Sequence, residues 1–122
     1  MKVQSKLGVT IPVPYKVYTA LLTQSGTDAP VATVLENTLG GTVVWSRLGI
    51  GSFRATLVGA FTLNKTVFYS DSRSGYTFWA GIIQASKDFT TDTIEFYTLD
   101  SVTGFNTDER LRNSFVEIRV YP

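Results

Sequence analysis

The side chains best equipped for acid–base chemistry are ten carboxylates: Asp28, Glu36, Asp71, Asp88, Asp92, Glu95, Asp100, Asp108, Glu109 and Glu117. They work without histidine or cysteine, both of which are absent. That absence removes Ser-His and Cys-His nucleophile pairs, imidazole and thiolate metal ligands, and disulfides. A glycosidase needs two carboxylates facing one another at about 5–9 Å. Glu95 and Glu117, on the polar faces of two late strands, are the only pair whose pattern suggests this. Sheet-face carboxylates are more ordinarily solvated or paired with a neighbouring arginine, here Arg54 or Arg119, and that reading is preferred. Asp88, Asp92, Asp100 and Asp108 fall in or beside loops and could offer oxygens to calcium, but nothing matches an EF-hand spacing. Loop aspartates mostly hydrogen-bond their own backbone and make turns. The expectation is a chain that is not an enzyme, with no catalytic residue, cofactor or metal.

Gly40-Gly41 and Gly49-Ile50-Gly51 precede no helix that could receive a phosphate, so neither reads as a P-loop or a dinucleotide fingerprint. Hairpin turns with positive φ account for them. Asn64-Lys65-Thr66 fits the glycosylation sequon, but the N-terminal stretch lacks the apolar segment of a signal peptide, so a turn is the simpler reading.

The elements that would hold these groups follow from composition and period. The 122 residues are 43 % hydrophobic, 13 % aromatic and 17 % charged, which suits one ordered domain. Seventeen threonines, ten glycines and ten serines favour half-wet sheets and turns over helices. Strands are expected at Tyr15–Gln24, Val31–Asn37, Thr42–Arg47, Ser52–Val58, Lys65–Ser70, Tyr76–Gln84, Thr93–Leu99 and Phe115–Tyr121, with turn signals between them. Alternation places Phe53, Ala55 and Leu57 inside against Arg54 and Thr56. It likewise places Ile94 and Phe96 inside against Glu95 and Tyr97, and Val116, Ile118 and Val120 against Glu117 and Arg119. Tyr15, Val17, Leu21 and Tyr18, Ala20, Leu22 fill both faces of the first strand, which must be central or covered by a neighbouring subunit. One short helical turn is expected near 106–113, capped by Thr107, with Glu109 at one end and Arg110 and Arg112 at the other. The fold class is therefore all-β, an antiparallel β-sandwich of jelly-roll-like type with about eight strands. A single domain spans 15–122, and residues 1–14 form an extended N-terminal arm. In that arm Pro12 and Pro14 disfavour a central strand, while Val9, Ile11 and Val13 alternate and give it an apolar face.

Lysines and arginines number eleven against ten acids, for a net charge of +1. Without a concentrated basic face there is no expectation of nucleic-acid binding. No apolar stretch reaches the length of a membrane span. Aromatic residues are the remaining candidates for recognition. Trp79, Tyr97 and Tyr121 fall on faces that a packed core does not explain, and with Val9, Ile11 and Val13 of the arm they make up the candidate interaction face.

The block Tyr15-Lys16-Val17-Tyr18-Thr19-Ala20-Leu21-Leu22-Thr23-Gln24-Ser25-Gly26 is followed by Ala29-Pro30-Val31-Ala32-Thr33-Val34-Leu35-Glu36-Asn37-Thr38-Leu39-Gly40 and Val43-Val44-Trp45. This phrase resembles small β-rich virion and fibre-associated proteins of bacteriophages with Bacteroidota-type hosts. The resemblance covers about Tyr15 to Lys65 and carries no motif with assigned chemistry. It implies a virion component (capsid decoration, tail or fibre-associated) made in the host cytoplasm, whose partners are other virion proteins and itself as a homo-oligomer. The alternative expectation is a carbohydrate-binding or receptor-binding module that takes a surface glycan.

Overall fold

A computed structural model describes residues 2–4, 10–12, 14–70, 82–84, 90–100 and 102–122, with side chains for 14–70, 90–100 and 102–122. The chain builds β1 (Lys2–Gln4), β2 (Thr10–Pro12), β3 (Lys16–Thr23), β4 (Val31–Asn37), β5 (Val44–Gly49), β6 (Ser52–Thr56), β7 (Thr66–Ser70), β8 (Ile82–Gln84), β9 (Thr93–Leu99) and β10 (Ser114–Val120). Two four-stranded antiparallel sheets result, in the orders β4-β3-β10-β7 and β5-β6-β9-β8. They form an all-β sandwich. Within the expected arm, β1 and β2 pair with each other, Val3 opposite Ile11, as a separate two-stranded ladder. The expected strand Tyr76–Gln84 is described only over β8, and the rest of it lies outside the described residues.

The strands form where β-branched and aromatic residues alternate with polar ones, because that pattern fits a pleated surface with one dry face. Val116, Ile118 and Val120 of β10 are buried, as are Phe53 and Ala55 of β6 and Ile94 and Phe96 of β9. Rings from both sheets meet in the middle. Phe68 of β7 stacks on Phe96 at 5.5 Å, and Tyr18 of β3 lies 6.2 Å from Trp45 of β5. The Trp45 Nε1–H donates to the Tyr18 hydroxyl at 3.1 Å, so the buried indole donor is satisfied. Burial pushes the Tyr18 phenol up, and the bond from Trp45 opposes this.

β3 is central in its sheet, with β4 on one side and β10 on the other. Tyr18, Ala20 and Leu22 enter the core, while Val17, only 3 % exposed, is held where Thr38 folds back. Its N–H donates to Thr38 Oγ1 at 2.8 Å, and the Thr38 N–H donates to the Val17 carbonyl at 2.8 Å.

The helical turn expected near 106–113 does not form. Glu109 (φ 64°) and Asn113 (φ 47°) adopt left-handed backbone, which a right-handed turn excludes. Partners from distant strands hold the segment instead. The Glu109 N–H donates to Gln24 Oε1 at 2.7 Å, and the Gln24 N–H donates to the Leu111 carbonyl at 3.0 Å. Gln24, 3 % exposed, closes this junction by donating from Nε2 to the carbonyls of Gly26 and Asp28. The Asp108 carboxylate, free to solvate in a helix, receives Arg47 through Nε at 3.1 Å and Nη2 at 2.8 Å, together with the Gly51 N–H at 2.9 Å.

Candidate functional site

The outward faces of the two sheets are set by the same alternation that fills the core. On the first sheet, register places Phe115 of β10 beside Leu21, Glu117 between Thr19 and Tyr69, and Arg119 between Val17 and Val67. Tyr15, just before β3, and Tyr121, just after β10, complete the row. Their rings lie 5.1 Å apart, and the Arg119 guanidinium sits 4.8 Å from the Tyr15 ring and 5.0 Å from the Tyr69 ring. A planar cation held close to two aromatic rings is attracted by the negative charge of their faces. Glu117 accepts a charge-assisted hydrogen bond from Arg119 Nε. That bond, then the Tyr121 hydroxyl, hold the guanidinium above its usual pKa, so it stays charged. A depression of about 600 Å³ opens over β10, bounded by Tyr69, Ser70, Phe115, Glu117 and Arg119.

A second hollow of about 660 Å³ lies at one end of the sandwich, where Pro14, Tyr15, Leu39, Leu57, Tyr121 and Pro122 come together. Tyr15 and Tyr121 thus belong to the aromatic row and to this hollow. The third feature is an edge. β4 ends the first sheet, runs seven residues, and leaves Val31 (70 %), Val34 (51 %) and Leu35 (56 %) exposed. Natural edges are usually blunted by lysine or proline, by a bulge, or by short length. Val31–Asn37 has neither residue, only Glu36 as a charge, and one bulge opposite Thr19/Ala20 that leaves Leu35 as the extra residue. β5, which ends the second sheet, adds exposed Val44 and Leu48.

Comparison with protein families, curated proteins and solved structures finds no match to this chain.

The sequence-selected residues are dispersed. Tyr121 joins the aromatic row. Tyr97 is half-buried on the second sheet, between Ser52 and Gln84 in the ladder, so the structure puts the two tyrosines on opposite outer faces. Ile11 lies in β2, while Trp79, Val9 and Val13 fall outside the described residues. The carboxylate pair weighed for glycoside hydrolysis is separated by the sandwich itself. Glu95 belongs to the second sheet, where Arg54 reaches it through Nε at 3.1 Å and Nη2 at 2.5 Å, and Glu117 belongs to the first. Of the loop aspartates, Asp88 lies outside the described residues, and Asp92, Asp100 and Asp108 serve backbone and arginine. Asp92 receives the Gly59 N–H at 2.8 Å, and Asp100 receives the N–H groups of Val102 and Thr103 together with Arg110. No group of three potential metal ligands gathers among the described residues. Sequence reasoning missed Tyr15, Tyr69 and Arg119 as a unit. The available signal was that Arg119 and Glu117 share the polar face of β10, while Tyr69 alternates with buried Phe68.

Proposed function

We propose that this chain is a structural protein of a bacteriophage particle that works by protein–protein assembly, joining copies of itself through its open sheet edge. The observation that carries the reading is the β4 edge, seven residues long, apolar and without a lysine or proline. A row of N–H and C=O groups that no strand among the described residues pairs, flanked by Val31, Val34 and Leu35, is a template for strand pairing, in which main-chain hydrogen bonds supply affinity and side chains supply register. Two copies related by a twofold axis would extend the first sheet from four strands to eight. The phage attribution rests on the resemblance over Tyr15 to Lys65, the segment that contains two of the edge strands, β4 and β5.

Light scattering coupled to size-exclusion chromatography tests the assembly. The chain should run as an oligomer at tens of micromolar, and Leu35→Lys, which places a charge on the edge, should run as a monomer with an unchanged melting temperature. A strict monomer for the unaltered chain, or an oligomer that Leu35→Lys leaves intact, would count decisively against it.

A further inference from the structure

We infer that the depression over β10, on the outer face of the first sheet, binds a neutral oligosaccharide. Three properties of the site select that ligand class. First, ring faces and hydrogen-bonding groups stand together. Tyr69, 47 % exposed, and Phe115 border the same hollow as the Glu117 carboxylate and the Arg119 guanidinium. A pyranose presents an apolar C–H face to an aromatic ring and a fringe of hydroxyls to an acceptor and a donor, which is this pairing. Second, the polar pair is electrically balanced. Arg119 is bound by Glu117, so among the described residues the hollow offers directional hydrogen bonds without the net positive charge that would favour sulfate, phosphate or sialic acid. Third, the pair is already ordered. Tyr15 and Tyr69 clamp the guanidinium from both sides, and the Tyr121 ring backs Tyr15, so little side-chain entropy remains to be lost on binding. The volume, about 600 Å³, falls within the roughly 300–1,000 Å³ of small-ligand sites.

This inference stands apart from assembly through β4. The hollow lies over β10 beside β7, and β4 is the opposite edge of the same sheet. The chain could therefore carry a glycan while its other edge is paired.

The test is an array of neutral hexose and hexosamine oligosaccharides beside sialylated and sulfated ones, followed by calorimetry with the best neutral binder. Neutral glycans should bind and the anionic set should not bind more tightly. Tyr69→Ala, at an exposed position on an edge strand, should weaken binding about tenfold, the size of one lost aromatic contact. Glu117→Gln should weaken neutral binding and raise the response to anionic glycans, because it unmasks the Arg119 charge. Leu35→Lys should bind as the unaltered chain does, which separates this site from the assembly edge. The inference is overturned by any of three results: no neutral glycan bound, tighter binding of anionic glycans by the unaltered chain, or undiminished binding by Tyr69→Ala with its circular dichroism unchanged.

Discussion

Gly51→Ala should be among the most damaging single-methyl additions in this fold. Gly51 sits at φ +60° in the β5–β6 turn, and a Cβ there would lie 2.5 Å from the Thr107 nitrogen, 2.6 Å from the Thr98 oxygen and 2.9 Å from the Thr107 oxygen. All three are backbone atoms, so no side chain can swing aside. The backbone around Gly51 also carries a small network. Its N–H donates to Asp108, its carbonyl accepts from the Thr98 N–H at 2.9 Å, and the Thr107 N–H donates to the Thr98 carbonyl at 2.9 Å. Making room for a methyl group separates the turn from 98–107 and weakens those three bonds. Net losses of about 1 kcal/mol per bond, with left-handed strain of about 1–2 kcal/mol, give about 4–5 kcal/mol in all. For a domain of this size that lowers the melting temperature by roughly 10–25 °C. The control is Gly49→Ala, two residues away, where the added carbon meets nothing within 4 Å and φ is not positive. It should change stability by less than about 0.5 kcal/mol. Urea unfolding followed by far-UV circular dichroism measures both. A loss below about 1 kcal/mol for Gly51→Ala, or equal losses for the two variants, would refute the close-approach argument.

Two further outcomes follow from buried and paired groups. Tyr18→Phe should cost about 1–3 kcal/mol in urea unfolding, because it leaves the buried Trp45 Nε1–H without an acceptor. Arg47, then the Gly51 N–H, hold the Asp108 carboxyl below its usual pKa, against the pull of burial. The unfolded chain therefore takes up the proton first on acidification, so this contribution is complete above about pH 4 and is lost as the pH falls through the lower folded value. Asp108→Asn should destabilise the protein at pH 7 and flatten the acid limb of a melting-temperature profile below about pH 4. An unchanged acid limb would assign that limb to other carboxylates.

Much of the architecture was written locally. β4 and β9 occupy the expected Val31–Asn37 and Thr93–Leu99, because a period of two bounded by turn residues has no good helical alternative. Expected partners Arg54 and Arg119 do hold Glu95 and Glu117, since cross-strand and same-face spacing are properties of the alternation itself. The failure at 106–113 is equally instructive. Thr107, Glu109, Arg110 and Arg112 satisfy local rules for a capped helical turn. They lose to Arg47 and Gln24, 61 and 85 positions from their partners in sequence, whose bonds no window of local sequence contains. The aromatic row is hidden for the same reason. Tyr15, Tyr69 and Arg119 come from three separated segments, and only the pairing of β10 with both β3 and β7 makes them neighbours.

That central pairing also governs how the molecule can come into being. Lys16 at the start of β3 lies opposite Val120 at the end of β10, so the ladder at the heart of the first sheet closes a loop of about a hundred residues, an entropic cost of about 4 kcal/mol before any contact repays it. Neighbouring hairpins such as β5–β6 can zip early, yet β3 keeps one flank unpaired until β10 arrives. During synthesis β10 is the last of these strands to leave the ribosome. The nascent chain thus waits with a raw central strand, Tyr18 and Leu22 included, until β10 is made. Its folding should be slow for its size, in the millisecond-to-second range of non-local β topologies, and sensitive to crowding by its own copies during that wait.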